Sequence, residues 1–243
     1  MSQVAKNRKK DGDPAPSAAV RILIVDDHPI VRRGLIGMIN QEPDLKVVAE
    51  AENFHQALEA IKADMPDLAV VDLTLEGISG LELIKQIKVM WPNLPVLVLS
   101  MHDEMLYAER VLRAGAKGYI MKQEGTERLS LAIRTIMRGE IYVSERMASR
   151  MLGKFVGGKR EGGSSPLDRL SDRELEVFEL LGKGMGTRQV AEKLCVSIKT
   201  IESHREHIKL KLGLKSANEL IQHATQWVMN EGAANEGGEP PAL

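Results

Sequence analysis

The sequence predicts a two-part chain: an α/β unit whose five parallel strands carry helices on both faces, then an all-α unit of four helices. Three observations predict it. Compact, branched apolar runs alternate with segments of helical spacing through the first half, the pattern of a parallel sheet buried on both faces. A Gly- and Ser-rich stretch, "VGGKREGGSSP", then breaks the alternation. Beyond it, from Leu167 to about Met229, only helical periodicity remains.

The opening "MSQVAKNRKKDGDPAPSAA" is polar and lacks an apolar centre, so residues 1–19 are expected as a disordered tail rather than a signal peptide. "VRILIVDD" is the first strand, followed by a helix striped by Ile30, Val31, Leu35, Met38 and Ile39. "LKVVAE" is a weaker second strand, with Ala57, Leu58 and Ile61 on the helix after it. "LAVVDL" is the third, and Leu83, Ile84 and Ile87 stripe its helix. After the fourth strand, "VLVLSM", the helical signal from about Asp103 to Ala114 is the least clear, resting on Leu106, Val111 and Leu112. "GYIMK" is the fifth strand, and Leu129, Ile133 and Ile136 mark the last helix of the series. Five such units make one doubly wound, flavodoxin-like domain with a five-stranded parallel sheet, expected over residues 20–138. "EIYVSERMASRMLGKF" reads as an extra helix, and residues 139–166 as that helix plus a flexible linker. Residues 167–229 form the helical unit, and residues 230–243, "NEGAANEGGEPPAL", a second disordered tail.

Composition narrows the function. The 243 residues carry a formal net charge of −1, which excludes a globally basic nucleic-acid binder but not a local basic face. Aromatic residues are only 3%, which argues against recognition of single strands by stacking. One cysteine, Cys195, allows neither an internal disulfide nor a cysteine zinc site, and reads as a small core residue. No apolar run is long enough to span a bilayer, so a cytoplasmic protein with no membrane partner is expected.

In a doubly wound sheet, ligands sit beyond the carboxyl ends of the strands where strand order reverses, here between strands one and three. Strand one ends in Asp26 and Asp27, strand three in Asp72, strand four in Ser100 and strand five in Lys122. Singly, each has a plain role: the two aspartates and Ser100 as helix caps, Lys122 as a solvated strand end. Together, three carboxylates on one edge raise each other's pKa unless a cation sits among them. A hard divalent ion such as magnesium, held by carboxylates, waters and phosphate oxygens, meets that need. A metal, an ammonium and a hydroxyl beside an acidic nucleophile are the equipment of phosphoryl transfer, with an aspartate as covalent acceptor.

"LIVDDH", "VVDLTLEGISGLELI", "VLVLSMHD" and "GYIMK" resemble the receiver domain of bacterial two-component response regulators, over about residues 20–140. The resemblance implies that Asp72 accepts a phosphoryl group from a histidine kinase. It implies an acidic pocket of Asp26 and Asp27, with Mg2+ ligated by Asp27, Asp72 and the backbone carbonyl of Thr74, and Asp26 reaching it through water. Lys122 would pair with the phosphoryl oxygens. Ser100 would bond one of them and move towards Asp72 after phosphorylation. Tyr119 stands where the family has its aromatic rotamer switch, although on residue type alone it reads as a half-buried strand aromatic. The two would couple the change to the face built from the fourth helix, fifth strand and fifth helix. One departure is Glu76, where the family usually has proline; it adds flexibility and negative charge beside the site.

In the helical unit, Ser171 with Glu174 makes a capping box ahead of an apolar stripe of Leu175, Phe178 and Leu181. Thr187 is placed to cap the second helix, whose apolar face is Val190, Ala191 and Leu194. After a break over Cys195 to Ser197, Ser197 caps a third helix with Ile201, Ile208 and Leu212 facing inwards. Two helices joined so tightly make a helix-turn-helix, the second of which enters a major groove. From Ser197 to Lys215, five basic residues oppose Glu202 and Glu206, an excess that favours phosphate contact over a plain dimerisation bundle.

"LSDRELEVFELL", "AEKL", "VSIKTIESH" and "KLGL" are similar to the LuxR-type (NarL/FixJ) helix-turn-helix. That implies DNA-facing positions at Lys199, Thr200, Glu202, Ser203, His204, Arg205, Lys209 and Lys211, the last two on phosphate rather than bases. Glu202 reads equally as an acceptor for a cytosine amino group or as an intrahelical partner. "SANELIQHATQWVM" is a fourth helix, which in the family supports dimerisation.

The expected protein is therefore a phosphorylation-controlled transcription regulator that catalyses its own phosphorylation and dephosphorylation without being a conventional enzyme. Its expected partners are a histidine kinase, double-stranded DNA, a second copy of itself when phosphorylated, and RNA polymerase. Phosphorylation would let the output domain leave the receiver, expose its recognition helix and dimerise on DNA. Two other readings stand: a phosphorylation-independent DNA-binding protein whose receiver is a dimerisation module, and an aspartate-dependent phosphohydrolase. The latter commonly needs a second aspartate where Thr74 stands.

Overall fold

The computed structural model describes residues 18–156 and 166–235. Strands β1 (Val20–Val25), β2 (Leu45–Ala51), β3 (Leu68–Val71), β4 (Val96–Ser100) and β5 (Gly118–Met121) form one parallel sheet in the order β2-β1-β3-β4-β5. The order reverses between β1 and β3, so a crevice opens beyond their carboxyl ends. All four residues of β3 are buried, because helices cover both faces of that central strand. Helices α1 (Pro29–Ile39) and α5 (Thr126–Met137) cover one face, where Leu35, Ile39, Ile133 and Ile136 pack on Ile22, Ile24 and Leu97. Helices α2 (Phe54–Ala63), α3 (Gly80–Met90) and α4 (Glu104–Ala114) cover the other, on Leu23, Val25, Val71 and Val98. Full burial of a side chain such as Ile84 or Ile87 contributes about 1.5–3 kcal/mol.

Helix starts follow local chemistry. Pro29 opens α1, and the Asn53 side chain accepts from Gln56 N–H to cap α2. Asp103, not Ser100, caps α4. The least legible helix, α4, is well formed, and the reason for its weak signal is visible. It buries Glu104, whose Oε1 accepts from the Ser144 N–H at 2.7 Å, just ahead of α6 (Glu145–Val156). Arg150 of α6 donates back to the Met105 carbonyl at 2.8 Å. The face of α4 is therefore occupied by α6 and by the second unit, rather than left open.

That unit begins with a 3-10 turn, Pro166–Arg169, followed by α7 (Asp172–Gly182), α8 (Thr187–Lys193), α9 (Ile198–Leu212) and α10 (Ala217–Asn235). Ser171 and Glu174 form the expected capping box. Phe178 is fully buried and lies 5.8 Å from the Trp227 ring. Gly182 admits the close crossing of α7 and α10, since a Cβ there would lie 2.4 Å from the Ala224 carbonyl oxygen. Three expectations need correction. The N-cap of α8 is Gly186, whose N–H bonds Gln189, while the Thr187 hydroxyl accepts from Arg205 instead. Cys195 is exposed and holds a φ of 52°, so it shapes the turn and fills no core. Helix α10 runs to Asn235, beyond Met229, because extending a formed helix is far easier than starting one. The first seventeen residues of the N-terminal tail, linker residues 157–165 and tail residues 236–243 lie outside the described residues. Among the described residues no helix is long and apolar enough to cross a membrane.

The two units touch. Arg110 of α4 donates to the carbonyls of Leu167 (3.0 Å) and Leu170 (2.8 Å) and to Asp172 (3.1 Å). Lys85 of α3 reaches Asp172 from the other side at 3.0 Å. Between the units lies a cleft of about 810 Å³, bordered by Asp27, Thr74 and Glu76 on one side and Glu176, Lys193 and Cys195 on the other.

Candidate functional site

The residues named from four strand ends meet. Lys122 Nζ lies 2.6 Å from Asp26 Oδ2 and 2.7 Å from Asp72 Oδ2, so one ammonium bridges two buried carboxylates. The other oxygen of Asp26 accepts from the His28 N–H (2.8 Å), and that of Asp72 from the Thr74 N–H (3.2 Å). Neither Asp26 nor Asp27 caps α1, whose cap is His28. Burial pushes the Asp72 carboxyl above its ordinary value, with Lys122 pulling the other way. Burial also opposes the Lys122 charge, but the two carboxylates outweigh it and raise its pKa.

Ligand atoms of Asp26, Asp27, His28 and Asp72 all lie within 4.8 Å of one another. Three carboxylates against one ammonium leave an excess of negative charge. Among the described residues Asp27 Oδ1 has no hydrogen-bond partner although it is buried, for while His28 Nδ1 stands 2.6 Å away, that contact lacks hydrogen-bond geometry. The three carboxylates of the set, one with an oxygen left over, fit a hard divalent cation.

Ser100 is fully buried beside this pocket, and its hydroxyl accepts from the His102 N–H at 3.3 Å. Tyr119 is also buried and donates to the His102 carbonyl at 2.8 Å. Burial raises its phenol well above the ordinary value, so it remains a donor. Glu76 is exposed at the cleft.

On α9, Lys199, Thr200, Glu202 and Ser203 are exposed, while His204, Arg205 and Lys209 are half-buried. With Ile201 and Ile208 facing the core, helical geometry sets Lys199, Ser203, Glu206 and Leu210 on the opposite face. Arg205 is tied to Thr187 of α8, and Lys209 to Glu206 at 2.9 Å. The buried His204 Nδ1 has no partner among the described residues, and burial lowers that ring's pKa. Lys211 turns towards α7, 2.6 Å from Glu174 Oε2. The expectation that the receiver hides the recognition helix does not hold, since the outer face of α9 is already exposed. The receiver covers α7 and the turn before α9 instead.

Sequence reasoning passed over His102. Its Nδ1 lies 2.9 Å from Glu179 Oε1 on α7, its Nε2 pairs with the Thr74 hydroxyl at 3.0 Å, and its ring stacks on Tyr107 at 4.6 Å. Tyr107 in turn donates to Glu179 Oε2 at 2.9 Å. The residue sits inside the quoted run "VLVLSMHD", but no sequence signal names a partner on another domain.

Residues 22–134 match the family of the response regulator receiver domain, and residues 168–224 match the bacterial regulatory proteins of the luxR family. The oxygen regulatory protein NreC of Staphylococcus aureus is 41% identical over 209 residues, covering 84% of this chain and 96% of that one. Among solved structures, the RcsB response regulator of Salmonella typhimurium aligns over 86% of this chain and 98% of that one, with a TM-score of 0.66 and 28% identity. RcsB bound to the rprA promoter in the presence of the phosphomimetic BeF3- aligns over 85% and 98%, with a TM-score of 0.62 and 28% identity.

Proposed function

The chain is a two-component response regulator of the NarL/FixJ family, built from a receiver and a LuxR-type DNA-binding domain, and on that premise we propose that phosphoryl transfer from a histidine kinase to Asp72 controls its binding to specific DNA and hence transcription. The observation that carries the reading is the Lys122 ammonium bridging Asp26 and Asp72 at the switch point of the sheet. An Asp72 carboxylate oxygen attacks the phosphorus of a phosphohistidine. The P–N bond breaks, the imidazole leaves with the electron pair and takes up a proton, and an acyl phosphate remains on Asp72. Lys122 turns to a phosphoryl oxygen, and the Thr74 N–H and Ser100 hydroxyl supply further donors. Mg2+ held by Asp27, Asp72 and the Thr74 carbonyl, with Asp26 behind it, would neutralise charge on the transferring group. Attack of water on the acyl phosphate reverses the modification, so the receiver takes part in its own dephosphorylation.

The phosphoryl group adds negative charge and acceptor oxygens, to which Ser100 and then Tyr119 respond. The consequence is release of the output domain from the receiver. Because α9 is already accessible, release serves to let two output domains pair on two half-sites, rather than to uncover the helix. Lys199, Thr200, Glu202, Ser203 and His204 then face the groove, and Arg205 and Lys209 flank it. A promoter-bound RcsB with a phosphomimetic, and RcsB dimers on DNA, support pairing of output domains on DNA. RNA polymerase is the proposed downstream partner, in the cytoplasm.

The exposed face of α9 also favours a second reading, DNA binding independent of phosphorylation with the receiver as a dimerisation module. One experiment separates them. The wild type and Asp72→Asn are incubated with Mg2+ and a small acyl-phosphate donor, and both are titrated onto DNA selected from a random pool. The main reading expects label on the wild type only, with tighter specific binding. Equal, tight binding by both proteins would establish the second reading.

A further inference from the structure

His102 is the residue on which every part of the proposed switch converges. Its N–H donates to the Ser100 hydroxyl, and its carbonyl accepts from Tyr119. Its ring joins Thr74, two residues after Asp72, to Glu179 of the output domain. Glu179 is nearly fully buried, and its two oxygens are served by His102 and Lys183 (2.6 Å) and by the Tyr107 hydroxyl. Among the described residues, two of its three donors therefore belong to the receiver. A buried carboxylate deprived of donors is costly, so Glu179 holds α7 against α4 for as long as those groups stay in place.

We propose that His102 is the positioning residue that reports the state of Asp72 to the output domain, with Glu179 as its receptor. This rests on the reading that Asp72 is phosphorylated. A phosphoryl group draws the Ser100 hydroxyl and the Thr74 N–H towards itself. Both residues bond His102, one through the main chain and one through the ring, so the imidazole is withdrawn from Glu179. Tyr107 follows, because it stacks on the same ring. The chain then opens at α7, while the groove-facing residues of α9 are untouched.

The test uses the full-length protein and the variants Glu179→Gln, Tyr107→Phe and His102→Gln, each with and without Mg2+ and beryllofluoride. Small-angle scattering reads the separation of the two domains, and label from an acyl-phosphate donor reads the chemistry at Asp72. Unmodified Glu179→Gln is expected to be open, with its closed-to-open ratio lowered at least about tenfold. Beryllofluoride should then add no further opening, while phosphoryl uptake stays within about twofold of wild type. Tyr107→Phe keeps the ring stack and should open partly. His102→Gln, which retains an N–H donor, should keep part of the closure. Should Glu179→Gln fail to fold, Tyr107→Phe carries the comparison. Variants as compact as wild type that open normally with beryllofluoride would overturn the proposal. A wild type that takes up no phosphoryl group defeats the phosphorylation reading instead, and compaction of the unmodified variants still decides whether His102 and Glu179 hold the domains together.

Discussion

Gly80 stands against the main chain of Asp72: a Cβ on Gly80 would lie 1.9 Å from the Asp72 carbonyl oxygen and 2.8 Å from its carbon. The first turn of α3 is thereby pressed on the loop that leaves the candidate phosphoacceptor, and the Gly80 N–H donates to the Leu73 carbonyl at 2.9 Å. Gly80→Ala must push backbone, which cannot yield as a flexible side chain would. It should destabilise the receiver by about 3 kcal/mol and cut phosphoryl uptake at Asp72 with it. A denaturant midpoint equal to wild type would refute the constraint.

Lys122 bridges two carboxylates that are each about 2% exposed in their side chains. Lys122→Ala leaves both buried and unpaired, a change worth about 3–5 kcal/mol. Without the ammonium, a divalent cation is the remaining source of compensation, so Mg2+ should bind more tightly to the variant and restore part of its stability. Phosphoryl uptake should nevertheless fall about 100-fold, because a donor to the transferring group is gone. Thermal melts with and without Mg2+, beside a labelling time course, check both halves.

Glu76 is exposed at the lip of the interdomain cleft, in the loop between Asp72 and α3. Proline there stiffens the loop and removes a charge near the acyl phosphate. The half-life of phosphorylated Glu76→Pro should differ from wild type by about twofold or more. Decay curves that superimpose would show that Glu76 does not set the lifetime of the phosphoryl group.

The strands and the pocket were legible because they rest on local rules: apolar runs end on polar residues, and topology then sends those ends to one edge. The β2 signal was weak because an edge strand is buried only in part. Helix α4 was unclear because polar residues interrupt its apolar stripe: Leu106, Ala108 and Val111 enter the core, but Glu104, Tyr107 and Arg110 beside them serve partners far away in sequence. The His102–Glu179 contact had no local signature, since it depends on how two domains sit together. Lys211 was expected on phosphate from the LuxR-type resemblance and the basic excess, and neither says which face of a helix a side chain takes.

The Glu179 carboxyl makes the domain interface sensitive to acid. Burial alone would raise its pKa, but bonds from His102 and Lys183 outweigh burial and hold it at about 2. In the open chain it returns towards an ordinary carboxyl value near 4.3. A depressed value favours the closed form above the ordinary range, and that contribution is lost as pH falls from about 4.5 towards 2. Glu176, raised by burial, acts in the opposite sense and is most favourable when protonated. The closed fraction should therefore drop through the acid range in the wild type, and Glu179→Gln should flatten that drop. A variant that opens along the wild-type curve would assign the acid response to other groups.

Lys199 and Lys211 separate charge that reads DNA from charge that builds the domain. Lys199 is exposed on the outer face of α9. Lys211 is bonded to Glu174, a buried carboxylate whose pKa is lowered despite burial because Lys211 and the Ser171 groups outweigh it. Lys199→Ala should weaken DNA binding on all sequences and reduce the salt slope by about 1, at little cost in stability. Lys211→Ala should leave the slope almost unchanged and lower the unfolding free energy by about 1 kcal/mol, because Glu174 loses its partner. Binding isotherms across a salt series, paired with denaturant titrations of the same proteins, give both quantities. An equal loss of slope in the two variants would mean that Lys211 leaves Glu174 on binding and reaches phosphate, restoring it to the recognition surface.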